Sequence, residues 1–318
     1  MLHHTHIANI TNETDFDNQD DQEQWHIRRR CGIGGSDVGA ILGVNPYRTP
    51  FDVWQEKTGR VGPADLSDND AVMAGTLLED AVAEFYTLRT EARVRRSHVN
   101  RFHHTMPWLS GNVDRTVEGQ QKILECKTAG HFAQGWGEPG TDQVPNSYLL
   151  QCMHYMAVWG YKTSDLAVLT GGQSFAIYTI DFDQELFDSV AAGLRGFWFD
   201  NVLADKPPEP SNLREIEQFY RKDDGQVITA DQEIMDAIGR YNELKVIEKE
   251  TKDGLDSEKE IIKGFMGENA TLVDMHGQKL ATWKTQTANR LDGTALKSEH
   301  PDIHAQYTKE SDSRVFRV

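Results

Sequence analysis

Cysteine is scarce in this sequence: Cys31, Cys126 and Cys152 are the three among 318 residues, and none shares a paired spacing with another. That excludes a disulfide framework and a cysteine-based zinc site, and a reducing cytoplasm is the expected home. Long apolar runs are also lacking. No stretch approaches the roughly 18 residues of a membrane-spanning helix, and no basic segment followed by an apolar one opens the chain, so no secretion signal and no membrane partner are expected. Internal repeats are absent. Basic residues fall short of acidic ones, 33 Lys and Arg against 50 Asp and Glu, a net charge of −17. Taken as a sum, that charge argues against a nucleic-acid partner.

The distribution of charge says otherwise. Residues 1–24 hold Glu13, Asp15, Asp17, Asp20, Asp21 and Glu23 with no Lys or Arg, then "WHIRRRCG" follows at once. Residues 88–104 carry Arg89, Arg93, Arg95, Arg96 and Arg101 against the single acid Glu91. Local basic patches of this kind can grip phosphates on an acidic protein. Carboxylates gathered around a metal would themselves add to the negative count.

The composition, 38% hydrophobic and 26% charged, suits one large globular domain with an appendage. Residues 1–24 read as a disordered acidic tail. A short helix is expected from Trp25 to Arg30. In "GIGGSDVGAILG", Ser36 and Asp37 are N-cap candidates for a helix stopped by Gly43. "TPFDVWQEKTGR" opens a second helix at Thr49-Pro50, and "GTLLEDAVAEFYTLRT" is a stronger amphipathic helix. Strands are expected at about 92–103, 108–117 and 122–128, then a buried helix in "SYLLQCMHYMAVWG". A hairpin turning at Gly171-Gly172 and a helix over "DQELFDSVAAGLRGFWFDNVLA" complete a mixed α/β domain, 25–205. Three prolines in "DKPPEPSN" mark a linker at 206–212. The appendage, 213–318, reads as a long charged helix or helical hairpin interrupted near Gly254. A β-hairpin at His276-Gly277 follows, with a last strand in "SRVFRV".

The chemistry concentrates at Asp114 and "KILECKT". In a strand, Glu125 and Lys127 share a face, and a hairpin brings Asp114 towards Glu125. Two adjacent carboxylates repel unless a cation lies between them, and oxygen ligands select a hard ion such as Mg²⁺ or Mn²⁺. A lysine beside that ion suits an attacking water or a phosphate. The competing reading is a solvated cross-strand ion pair worth about 0.2–1 kcal/mol. The apolar flank "KILEC" favours the first, because an unpaired buried Glu is costly.

"GNVDRTVEGQQKILECKT" resembles the PD-(D/E)xK nuclease core. The wider chain resembles the YqaJ-like viral recombinase and lambda exonuclease family over roughly 25–205, through "WHIRRRCGIGGSDVGAILGVNPYRTPFDVWQEKTGR", "GTLLED" and "YLLQCMHYMAV" in that order. Asn112-Val113 stands where the superfamily name calls for proline. The resemblance implies a restriction-endonuclease-like α/β fold, a central mixed sheet flanked by helices. It implies two Mg²⁺ (or Mn²⁺) ions held by Asp114, Glu125, the Cys126 carbonyl and Glu79, with Lys127 at the nucleophile and Gln151 orienting water or phosphate. Arg29 and Ser36 would hold a 5′-terminal phosphate, with Arg28 and Arg30 as alternatives, and Gly32, Gly34 and Gly35 would let the chain pass close to it. Glu79, read alone, is also an acid favoured by the dipole of a helix's first turn.

The expected activity is 5′-to-3′ exonuclease digestion of duplex DNA ends, leaving 3′ overhangs for recombination. The expected partners are a single-strand annealing protein and further copies of the chain, a trimer by resemblance. An endonuclease or nickase on the same core, and a silent DNA-end binding scaffold, are the rival classes. His98, His103 and His104, and Trp54, Trp136, Trp159 and Trp198, read as structural.

Overall fold

The computed structural model describes residues 29–62, 66, 68–309 and 313–318. The acidic tail, Arg28 and most of the helix expected from Trp25 lie outside them. The chain divides into two compact units, Met1–Glu215 and Ile216–Val318.

The first unit opens with α1 (Gly35–Ile41) and α2 (Pro50–Lys57). Thr49 and Asp52 cap α2 reciprocally, each side chain accepting from the other's backbone N–H. The cap of α1 differs from expectation: Gly34 is the N-cap, and Asp37 reaches back to accept from its N–H at 3.1 Å. Ser36 therefore lies in the first turn and is exposed. Then come α3 (Asp70–Thr90), β1 (Val94–Arg96), β2 (Arg101–Phe102), β3 (Ser110–Gly111), β4 (Arg115–Val117) and β5 (Lys122–Ala129). After these run α4 (Asn146–Trp159), β6 (Thr163–Thr170), β7 (Ser174–Asp181) and α5 (Gln184–Gly196), whose last turns widen into a π-helix over Phe197–Leu203. The single helix expected there thus changes its winding at Phe197.

Five strands form one sheet in the order β1-β4-β5-β6-β7. β5 is central, antiparallel to β4 and parallel to β6, and α4 makes the crossover between the parallel strands. Side-chain alternation sorts the core into two layers. Ile123, Leu166, Val168, Tyr178 and Ile180 face α1, α2, α4 and α5. Leu124, Cys126, Ala167 and Leu169 face Val82, Ala83 and Tyr86 of α3. Gly171 and Gly172 turn the β6–β7 hairpin with φ of 58° and 74°, as expected from sequence.

The short helix α6 (Leu213–Phe219) straddles the boundary between the units, and in the second unit α7 (Gln232–Met266) runs 35 residues without a break. Gly254 does not interrupt it, because a mid-helix glycine costs only about 1 kcal/mol. The β8 (Thr271–Val273) and β9 (Lys279–Thr282) hairpin turns at Gly277, φ 81°. Two short helices, α8 (Gly293–Glu299) and α9 (Pro301–Tyr307), went unread in the sequence, and residues 313–318 form no strand. Among the described residues no helix is long and apolar enough to cross a membrane.

One buried carboxylate ties the first unit together. Asp165 of β6 accepts from Tyr86 Oη of α3 at 2.7 Å, Lys122 Nζ of β5 at 3.0 Å and Thr179 Oγ1 of β7 at 2.9 Å. Asp165→Ala leaves those three donors without their acceptor, and a loss of about 3–5 kcal/mol is expected. Urea unfolding followed by circular dichroism checks it: an unchanged midpoint contradicts this account.

Candidate active site

β4 and β5 place the two carboxylates. Their register pairs Arg115 with Leu124 and Thr116 with Ile123, so one step further sets Asp114 against Glu125. Side chains directly opposite in an antiparallel pair share a face. Asp114 and Glu125 therefore meet on the α4 side of the sheet, and Arg115 points to the α3 side with Leu124. Beyond Arg115 the ladder is taken over by a side chain, as Asp114 Oδ2 accepts from the Cys126 N–H at 2.8 Å. The N–H and C=O of a strand residue project to the same side, so the Cys126 carbonyl is directed to this end of the sheet too.

Glu125 is only 2% exposed. Its Oε1 accepts from Lys127 Nζ and from Gln151 Nε2 of α4, each at 2.7 Å. Its Oε2 is buried with no hydrogen-bond partner. Burial pushes the Glu125 carboxyl up to about 7, the Asp114 charge adds to that, and Lys127 opposes it. Asp114 is raised also, first by burial and then by Glu79, against Lys127, the Cys126 N–H and Arg115. Lys127 is held protonated in spite of burial by Glu125 and Asp114, and its Nζ stands 5.3 Å from the centre of the Tyr148 ring.

Glu79 is placed differently from expectation. Asn69 caps α3, so Glu79 lies mid-helix and not in a first turn where the dipole would favour it. It is engaged on the α3 side of the sheet: Arg115 Nη1 donates to its Oε1 at 2.7 Å, and Arg96 Nη2 approaches at 3.4 Å. Arg115 also donates to the Asp114 carbonyl at 2.7 Å and to Asp80. Sequence reading missed Arg115, although it adjoins Asp114 directly. Among the described residues no group of three or more His, Cys, Asp or Glu side chains is close enough to hold a metal ion.

A second cluster forms around α1. Arg29 Nη2 donates to Ser36 Oγ at 3.0 Å, the pair expected from sequence. Asp37, fully buried beneath it, binds Lys57 Nζ at 2.7 Å and Arg48 Nη1 at 3.2 Å. Burial would raise Asp37, but Lys57, Arg29 and Arg48 together hold it far below the usual carboxylate range. Arg48 also pairs with Glu56 at 2.7 Å. Among the described residues of the cluster, three cations stand against two acids. Arg48 and Lys57 went unread because nothing local in "NPYRTP" or "QEKTG" marks them. Arg30 turns instead towards Gly59, beyond α2. Two of the three glycines meet a packing demand of the protein itself. A Cβ on Gly32 would meet the Trp108 carbonyl at 3.0 Å and one on Gly35 the Tyr155 ring at 2.4 Å, so both are filled by protein, while Gly34 has room.

His103 and the tryptophans are structural, whereas His98 and His104 are exposed. His103 Nδ1 accepts from the backbone of Thr105 and Met106 at 3.3 and 3.2 Å. Trp54, Trp159 and Trp198 are buried, and Trp136 packs against that core.

A five-stranded mixed sheet flanked by helices, with a carboxylate pair and a lysine grouped at the middle of its central strand, defines the restriction-endonuclease-like α/β class. The domain model of the YqaJ-like viral recombinase family matches residues 24–162. Uncharacterized protein YqaJ of Bacillus subtilis is 33% identical over 313 residues, spanning 93% of this chain and 94% of that one. The chain belongs to the YqaJ family. Two solved structures resemble it at TM-score 0.47. The alkaline exonuclease of Laribacter hongkongensis, 18% identical, covers 58% of this chain and 94% of its own. A putative exonuclease of Eubacterium rectale, 12% identical, covers 70% and 98%.

Because the native carboxyl of Glu125 titrates above its ordinary value, the folded protein binds that proton more tightly than the unfolded chain. Its contribution to stability is present below about pH 4.5 and is lost as pH rises through about 7. Metal-free protein is thus expected to lose stability across that window, and Glu125→Gln to flatten the loss. Thermal melts in EDTA from pH 4.5 to 8 measure it, and parallel profiles for the two proteins refute it.

Proposed function

We propose that this protein is a metal-dependent exonuclease that degrades the 5′-ended strand of linear duplex DNA, 5′ to 3′. It leaves 3′ overhangs for recombination by single-strand annealing. The observation that carries the reading is the enclosed Glu125 carboxylate, one oxygen unpartnered, set against Asp114. A buried carboxylate in that state is costly unless a cation completes it. Two carboxylates and a strand carbonyl fit Mg²⁺ or Mn²⁺, which take oxygen ligands and retain waters and substrate phosphate in the other positions. Asp114, Glu125 and the Cys126 carbonyl would hold two ions, the number that the family resemblance implies, and Glu79, now held by Arg115, would reach them directly or through water. When bound, the ions would lower the pKa of an attacking water and neutralise the phosphate.

The chain's own groups do the rest. Lys127, kept charged, sits on Glu125 where it can orient the nucleophile and offset charge on the scissile phosphate. Gln151 holds Glu125 from the other side, so the carboxylate cannot turn away. Arg29 and Ser36, with Arg48 and Lys57 behind them, present cationic and hydroxyl donors suited to a terminal 5′-phosphate. A phosphate would compete with Asp37 for those cations. Membership of a viral recombinase family supports DNA as substrate, and the resemblance to lambda exonuclease adds a single-strand annealing protein as partner and a ring-shaped trimer as the working form.

End-labelled linear duplex tests the proposal. Digestion is expected with Mg²⁺ or Mn²⁺ and none with EDTA, and closed circular DNA should survive. Lys127→Ala should lower the rate at least about 100-fold. A 5′-phosphorylated duplex should be cut faster than its 5′-hydroxyl form, and Arg29→Ala should erase the difference. Equal digestion by wild type and Lys127→Ala, or cutting of closed circles, refutes the reading.

A further inference from the structure

α4 carries Tyr155 one turn beyond Gln151, and the phenol is held on several sides. A Cβ on Gly35 would lie 2.4 Å from Tyr155 Cε1 and 2.6 Å from Cζ, and one on Gly111 would lie 2.9 Å from Cδ1. Neither glycine has a positive φ, so both are needed there for space and not for backbone conformation. The ring is wedged between α1 and β3. Its hydroxyl accepts from Gln151 Nε2 at 3.2 Å, and the same nitrogen donates to Glu125 Oε1 at 2.7 Å. The two protons of the amide nitrogen are thereby assigned, one to each oxygen. A carboxamide that lost the phenol as acceptor could rotate and present its own oxygen to the Glu125 carboxylate, which repels it. Burial and the nearby Glu125 charge keep the phenol protonated, so the hydroxyl is a neutral partner throughout.

We propose that Tyr155 is a positioning residue: it fixes the Gln151 amide on Glu125 and sets that contact in register with α1, the helix bearing Ser36. Gly35 directly precedes Ser36, so the ring packed on it touches both halves of the site. One rigid path joins α1 to the carboxylate through Tyr155 and Gln151. The inference rests on the nuclease reading above and names how its two halves are kept in alignment.

Tyr155→Phe in the full-length protein is the direct test, because it retains the ring beside Gly35 and Gly111 and deletes only the hydroxyl. Two quantities are measured: kcat and KM on 5′-phosphorylated linear duplex, and the affinity for Mn²⁺ by calorimetry without DNA. The expected result is kcat about 10- to 100-fold lower with KM within about twofold, and Mn²⁺ affinity about tenfold weaker. Gly35→Ala, which displaces the ring, should give the same split, and the double variant should be no worse than the poorer single one. If Gly35→Ala does not fold, Tyr155→Phe decides alone. Wild-type kcat and Mn²⁺ affinity in Tyr155→Phe overturn the inference, as does a change confined to thermal stability or KM. If the wild-type protein fails to cut DNA, the nuclease reading falls and the Mn²⁺ comparison still decides: equal affinities overturn the role of Tyr155, and weaker binding by the variant upholds it.

Discussion

The fold is arranged around a carboxylate placed where a carboxylate is least stable. Glu125 lies in the central strand, is almost wholly enclosed, and has one oxygen with no partner beside a second acid. Three neighbouring residues limit that cost. Lys127 supplies a charge, Gln151 a neutral donor, and Cys126 gives its N–H to Asp114 so that this acid is not also bare. A protein under selection for stability alone would place an apolar residue here, as it does at Ile123 and Leu124. A polar group retained against that pressure points to a task.

The sheet order explains how so few residues suffice. β5 is flanked on one side by β4, which ends early, and on the other by β6, which runs its full length. The short β4 frees the edge of β5 beyond Leu124, and into that gap come the Asp114 carboxyl and the Cys126 backbone. Because strand side chains alternate, the same two strands send Arg115 to the opposite face, where it holds Glu79 and Asp80. The acids are thus divided between the faces: two stand with Lys127, and two are neutralised by arginine. α4 then crosses over to start β6 and, in doing so, lays Gln151 and Tyr155 on the site. The crossover that a parallel pair requires is also the element that supplies its second layer of contacts.

Much of this could be read in the chain. The E-x-K spacing gave two side chains on one face, and the apolar residues before it predicted burial. Two neighbouring strand segments implied a hairpin that brings Asp114 towards Glu125, and Gln151 came from family resemblance, not from anything in its own neighbourhood. What could not be read depended on residues distant in sequence. Arg48 and Lys57 enter the α1 cluster only once α2 packs on α1, and no local pattern announces it. Arg115 was hidden by its ordinary appearance in a strand. Gly32 and Gly35 were misread because a glycine needed for a neighbour's bulk looks, in sequence, like one needed for a ligand. The start of α3 was misplaced because the Asn69 cap lies ahead of the strongest apolar spacing, so Glu79 was set in the wrong turn.

The central claim is that Asp114 and Glu125 are arranged to share a cation. A crystal of the protein soaked in Mn²⁺ and measured at the manganese edge tests it most directly. The account predicts an anomalous peak bonded to Glu125 Oε2 and to the Asp114 carboxylate. A crystal that takes up manganese elsewhere, with no peak between those two side chains, would contradict it.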